Sequence, residues 1–359
     1  GGAASWATGE GRDGLESVSE QETKDLHRQC ASMMKQYEVR PGVSWGTLPL
    51  AGQKRWREMH CNDWAWASIG PERVAACEAS NGEAREVIAI MAASTSRKVD
   101  NPSTRKMALF RWLLPSLVRT VDCGFAYMYV LGYDKGDPFY DSEAGMRSVQ
   151  KWFQEHVAEP LRKRNIRIVM HAVAVNNKVK KPGPVFLEMA RKAYGEGAHW
   201  FYRVNDDTQL VERWPKLFVK TLKRLGPPYG VVGPLCKQGN TRILTHDFTH
   251  RTHMDVFEMN YYPPALSDWW MDDWVSFVYG RDRTFKASKV TAVHHTGTHG
   301  QRYQVDKSHQ KLVKGLIGKG RKTIKEWMLR NNVPSDKIRK FESEPVETKV
   351  AFRDILYDA

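Results

Sequence analysis

No apolar run in this 359-residue chain approaches the roughly 18 to 20 residues that a membrane-spanning helix requires. Its first residues, Gly1-Gly2-Ala3-Ala4, offer neither the basic nor the apolar region of a secretory signal. The expected compartment is the secretory pathway, in the Golgi lumen, if an anchor precedes this segment, and the cytoplasm or nucleus otherwise. Usable N-x-[ST] sites are absent, because proline spoils Asn101-Pro102-Ser103, which argues against a heavily glycosylated lumenal protein. Cysteine is sparse. Cys30, Cys61, Cys77, Cys123 and Cys236 include no C-x-x-C pair, so a structural zinc site is not expected. An odd, scattered set fits free buried thiols, or one or two disulfides with a leftover. No internal repeat is visible. Acidic charge is the scarcer sign: 41 Asp and Glu against 55 Lys and Arg leave a net charge of +14. That balance favours polyanionic partners (nucleic acid, anionic membrane, acidic glycans or nucleotide diphosphates), and its plainest alternative is a solvated basic surface.

Residues 1–35, rich in Gly, Ser, Glu and Gln, read as a flexible lead-in. A Trp-rich extension, 36–84, follows, with Trp45, Trp56, Trp64 and Trp66 expected to pack as a satellite of a larger core. The organised part begins near residue 85. Val87-Ile88-Ala89-Ile90-Met91 reads as a buried parallel strand that opens onto Ser94-Thr95-Ser96-Arg97. Helical spacing over Met107 to Val118, a strand from Phe125 to Leu131, a helix near Ser148 to Arg162 and a strand from Ile166 to Val175 follow. A helix from Val185 to Tyr194 and a fourth strand, His199 to Val204, complete the pattern. Strands alternating with helices predict an α/β fold with a mainly parallel central sheet flanked by helices. Ligands in such sheets bind at the carboxyl ends of the strands, here the Ser94 and Asn205 loops. After Trp214 the regular period is lost, and Gly, Pro, His and aromatics become dense. A basic, partly helical extension, 306–359, closes the chain.

Asn205-Asp206-Asp207-Thr208 follows the fourth strand directly. Adjacent carboxylates repel, and a hard divalent cation shared with a diphosphate relieves them; a solvated turn is the plainer reading of the same four residues. A second cluster, Trp269-Trp270-Met271-Asp272-Asp273-Trp274, sets carboxylates among indoles. Apolar walls raise a carboxyl pKa toward that of a general base, although helix capping also places Asp there.

In order, these motifs resemble the GT-A glycosyltransferases, and most nearly the beta-1,4-galactosyltransferase and chondroitin-synthase types. The resemblance covers about 86–306. It implies a GT-A-like (Rossmann-like) catalytic domain over 85–305, with a nucleotide-sugar half at 85–213 and an acceptor half at 214–305. Asn205-Asp206-Asp207 matches the family's D-x-D, with Asn205 in place of the first Asp and Asp207 at the metal position. Trp270-Met271-Asp272-Asp273 resembles its W-G-G-E-D or G-W-G-x-E-D motif without the two glycines, which puts Asp273 at the general-base position. Val293-His294-His295 before Gln301-Arg302-Tyr303 matches the metal histidine and the stretch after it, with His295 favoured and His294 the alternative. The resemblance thus implies inverting transfer of a sugar from a UDP-sugar to a hydroxyl of a glycan, glycoprotein or other acceptor, with Mn²⁺ or Mg²⁺ as cofactor. Asp273 and Asp272 would be catalytic. Ser94, Thr95, Arg97, Asp206 and Asp207 would bind the donor, and Trp269, Trp270 and Asp272 the acceptor.

The rival readings are a nucleic-acid-binding protein and a glycosyltransferase with a nucleic-acid acceptor, both drawn from the basic charge. His246, His250 and His253 have a spacing that zinc could use but lack the glutamate of H-E-x-x-H. The segment from Gly315 to Lys322 lacks P-loop spacing and follows no strand.

Overall fold

The computed structural model describes Cys77 and residues 85–238, 240–298, 300, 302–346 and 353–354, all within one compact unit, Arg73–Ala359. The expected lead-in, the Trp-rich segment apart from Cys77, and Gln301 lie outside the described residues.

Strand β1 (Val87–Ala93) is apolar along its whole length, as a strand buried on both faces must be. A π-helical turn, Leu109–Leu113, runs into α1 (Leu114–Thr120). Next come β2 (Ala126–Asp134) and α2 (Glu143–Phe153), the latter capped where the Ser142 hydroxyl accepts from the Gly145 amide. A second π turn joins α2 to α3 (Glu159–Arg162), which leads to β3 (Ile168–Val175). Helix α4 (Pro182–Gly195) starts three residues before its apolar period because Pro182 suits a first helical turn. At Gly132, a Cβ would lie 2.5 Å from Met189 Sδ, so only glycine lets α4 settle this closely on β2. Strand β4 (Trp200–Asn205) reverses through Asp206 and Asp207 into β5 (Thr208–Leu210).

Beyond Trp214 the expected loss of regular structure is corrected. The segment holds α5 (Pro215–Leu225), β6 (Val231–Lys237), β7 (Asp247–His250), α6 (Thr252–Val256), α7 (Trp270–Val278) and β8 (Thr284–His294). Short strands broken by Gly233-Pro234 carry little local signal, and their pairing partners define them. Helices α8 (His309–Arg330) and α9 (Ser335–Ser343) form the basic extension, and β9 (Arg353–Asp354) pairs with β8.

The sheet runs β3-β2-β1-β4-β7-β6-β8-β5, with β9 also beside β8. Five of its eight pairings are parallel, and β7 and β5 run against their neighbours. This is the α/β architecture expected, a mainly parallel central sheet flanked by helices. Strands β1, β4, β6 and β8 end at the same edge. Between β6 and β8 the register shifts at Pro234/Leu235: Pro234 faces Ala287, whereas Leu235 faces Thr291. Ser288, Lys289 and Val290 therefore bulge from the ladder where proline offers no N–H. One core lies on each side of the sheet: an aromatic one around Trp200, Tyr202, Trp214 and Phe248, and one under α4, α7 and α8 around Phe201, Trp274 and Ile317.

Candidate active site

A cavity of about 710 Å³ opens at the shared carboxyl edge of β1, β4, β6 and β8. It is lined by Ser94, Thr95, Arg97, Asp206, Asp207, His294, Trp269, Trp270, Asp272 and Asp273. Of the site residues expected from sequence, only His295 is not on its wall. Strand alternation explains this. At the end of β8, His294 faces the cavity while His295 stacks on Trp112 at 3.7 Å between ring centroids, its Nε2 3.0 Å from Gln209 Oε1. The geometry thus puts His294, rather than the favoured His295, on the cavity wall beside Asp207.

His294 Nε2 stands 2.9 Å from Asp207 Oδ1. The two side chains form an ion pair at the cavity wall. Burial alone would lower the imidazole pKa, but Asp207 and the neighbouring Cys236 outweigh it and raise it to about 10. Burial would likewise raise Asp207, yet His294 and Arg302 hold it below the usual carboxylate range. Asp207 and His294 at the cavity wall are of the ligand types that a Mn²⁺ or Mg²⁺ ion shared with a diphosphate takes, and such an ion would displace the imidazole proton that the pair now holds. They do not fit an ion held by protein alone, since no cluster of three His, Cys, Asp or Glu side chains suited to a metal occurs among the described residues.

Asp206, also on the cavity wall, is held by protein partners. It is 1% exposed and takes both Arg302 terminal nitrogens, at 2.8 and 2.5 Å, with the Ser94 hydroxyl at 2.6 Å. It acts as an anchor, fastening the loop after β8 to the β4–β5 turn. The Ser94 loop is fixed in turn by Asp137, which accepts from the Ser96 amide and hydroxyl and from the Thr95 hydroxyl. Burial would raise Asp137, but these bonds and those from the Phe139 and Tyr140 amides hold it low. Arg97 is held 3.2 Å from Asp134.

On the opposite wall, α7 carries both candidate carboxylates. Burial, with Asp247 and Asp273 nearby, pushes Asp272 up to about 7 against the opposing pull of Arg203. Burial pushes Asp273 up to about 6, and no other described side chain donates to it. Trp269 is 57% exposed, whereas Trp270 donates from its indole to the Asp306 carbonyl, 2.9 Å away.

Among the cavity residues that the sequence reading does not single out are Arg203, Lys181 and Asp268. An arginine inside Trp200-Phe201-Tyr202-Arg203-Val204 was the available signal, because a cation in a buried strand demands partners. Lys181 pairs with the fully buried Asp268 at 2.8 Å.

The three histidines considered for zinc do not converge. His246 Nε2 bonds Thr208 Oγ1, His250 faces Thr252, and His253 spans Tyr279 and the Tyr261 carbonyl. Burial lowers all three, His250 and His253 to about 4.

No family model matches the chain, and no curated protein matches it. Among solved structures it is similar to S. aureus TarS 1-349 in complex with UDP, at 12% identity and a TM-score of 0.42, over 66% of this chain and 65% of that one. TarS 1-349 in complex with UDP-GlcNAc matches at 11% identity and 0.39, over 66% of each chain. A further S. aureus TarS structure matches at 11% identity and 0.40, over 64% of this chain, which spans 38% of that longer one. A likeness of this degree says nothing of substrate, and the chemistry of the cavity is read from its own residues.

Proposed function

We propose that this protein is a metal-dependent glycosyltransferase that moves a sugar from a nucleotide-sugar, a UDP-sugar, to an acceptor hydroxyl with inversion. One observation carries the reading. One cavity at the carboxyl edge of the sheet carries the Asp207–His294 pair on one wall and, on the other, Asp273, a carboxyl pushed up to about 6 with no side-chain donor among the described residues.

Asp207 and His294 would hold Mn²⁺ or Mg²⁺. That ion supplies positive charge against the diphosphate as it leaves. The described residues do the rest. Arg302, 4.0 Å from Asp207, adds a fixed cation beside the diphosphate position. Trp269 offers an open indole face to an acceptor ring, and Asp272, held by Arg203, offers an acceptor for one of its hydroxyls. Asp273 takes the proton from the attacking hydroxyl. The new bond forms from that oxygen to the anomeric carbon as the bond to the diphosphate breaks, from the opposite side. The proton rests on Asp273, and the electron pair leaves with the nucleoside diphosphate.

Calorimetry of UDP with and without Mn²⁺ tests the donor side. Asp207→Ala should lose the Mn²⁺-dependent part of UDP binding, because no neighbour replaces that oxygen. A variant that binds UDP and Mn²⁺ like the parent sinks the metal assignment. A hydrolysis screen over UDP-, GDP- and CMP-sugars identifies the donor.

The nucleic-acid readings keep one observation in their favour, the exposed Lys311, Lys314, Lys319 and Lys322 on α8. Against base stacking by that helix, Trp327 faces the core at 9% exposure. UDP with Mn²⁺ should raise the melting temperature, by about 2.7 kcal/mol of stabilisation at a hundredfold excess over Kd. A rise with oligonucleotide alone would favour the rival.

A further inference from the structure

Arg203 stands near the middle of β4, 2% exposed, on the strand whose end carries the Asp206-Asp207 turn. Its alternating position turns it away from the aromatic core and under α7, with its guanidinium 5.5 Å from the Phe186 ring. A buried arginine costs several kcal/mol unless its donors are met. Here Nη2 lies 2.6 Å from Asp272 Oδ1 and 2.6 Å from Asp247 Oδ2, and Nε donates to Asp247 and to the Tyr262 hydroxyl. The two carboxylates are unequally served. Asp247 also accepts from the Tyr261 and Tyr262 hydroxyls, both at 2.7 Å, whereas among the described residues Arg203 is the side chain that donates to Asp272. One cation is thus shared by two anions from different elements, β7 and α7.

We propose that Arg203 is a positioning residue of this site: it ties the strand bearing the donor-side turn to the helix bearing Asp272 and Asp273, and so fixes the distance between the two reacting partners. The inference rests on the glycosyltransferase reading. Asp272 faces Arg203 from β4, Asp247 from β7, Tyr262 from the loop before α7, Tyr303 from the loop after β8, and Asp273 on its own helix. Only Arg203 among them is cationic. A lysine there keeps the charge but not the fork, so it reaches one carboxylate and releases the other. Misplacement of a reacting group by about 1 Å costs about a hundredfold in rate.

The test uses the full chain, Arg203→Lys and Asp247→Asn, with the melting temperature recorded to show that each is folded. The nucleotide-sugar that the parent hydrolyses serves as donor. Expected for Arg203→Lys is a UDP Kd within about threefold of the parent and a kcat for transfer lower by about 10 to 100-fold. Asp247→Asn removes the competing carboxylate charge from Nη2 and Nε, leaving the bonds to Tyr262 and the Thr245 carbonyl in place, and takes a negative neighbour away from Asp272. The acidic limb of kcat/KM, which reports the Asp272–Asp273 pair, should then move down by about half a unit to one unit. A role confined to holding the core together predicts unchanged kcat in folded Arg203→Lys and an unmoved limb in Asp247→Asn, and either result overturns the inference. A parent that turns over none of the UDP-, GDP- or CMP-sugars overturns the transferase reading itself, and this inference with it.

Discussion

Asp272 and Asp273 are neighbours on α7 with different company, and their chemistry diverges for that reason. With a folded pKa of about 6, Asp273 is ionised above that pH and can accept a proton, so turnover should fall as pH drops through about 6. Asp273→Asn keeps shape but not basicity: donor affinity should survive while turnover falls by roughly 10² to 10⁴-fold, measured in single-turnover assays. The sign of its effect on stability is opposite. A carboxyl whose pKa is raised in the folded state binds its proton more tightly there, so its contribution is fullest below about pH 3.9 and is lost as pH rises through about 6. At pH 8 the asparagine variant should therefore be more stable, by about 1 kcal/mol once the solvent reaching this half-buried group is allowed for. Denaturant unfolding of the parent and variant at pH 4 and pH 8 checks it. The two tryptophans separate in the same way. Trp269→Ala should weaken acceptor binding and leave the melting temperature nearly unchanged, whereas Trp270→Ala should lower both, since its indole is bonded to the Asp306 carbonyl in the loop before α8. At this scale the carboxylates were legible because acids among indoles are rare, whereas Arg203 passed as an incidental charge in an apolar strand.

The first half of the sheet could be read from β1 to β4, since parallel strands buried on both faces are long apolar runs with amphipathic helices between them. The second half could not. Strand β7 has four residues, β5 has three, and β6 contains a proline, so their identity comes from partners distant in sequence. The loop after β8 is similar: nothing local in Arg302 announces that it returns to Asp206, 96 residues earlier. That pairing has a measurable weight. Arg302→Ala strands a carboxylate that is 1% exposed, and removing one partner of a buried ion pair costs about 3–5 kcal/mol. Chemical denaturation should register that loss, and a second substitution, Asp206→Asn, should recover part of it; no recovery would mean that the pair is not the source.

Seen whole, the described chain is fastened at the opposite corner by a disulfide, Cys77–Cys123, that closes a 46-residue separation around β1. Of the five cysteines, Cys236 is free and buried in β6, so the odd set resolves at three of its members. Chain entropy assigns a loop of that size about 4 kcal/mol, so reduction should lower the melting temperature by on the order of 10 °C. Calorimetry with and without a reductant measures it, and an unchanged transition would mean that the bridge does not restrain the unfolded chain. Strand order, by contrast, was invisible in the sequence, because β5 leaves β4 through two residues and docks at the far end of the sheet. The bulge at Ser288-Lys289-Val290 belongs to the same closure. It displaces the β8 ladder by three residues, an odd number, and so decides which of two consecutive histidines looks inward. The molecule is therefore more sensitive at this point to insertion and deletion than to replacement. Lys289 is exposed at the bulge, whereas one residue more or fewer between Ala287 and Thr291 should change the parity of the strand beyond it and turn His295 toward the cavity in place of His294.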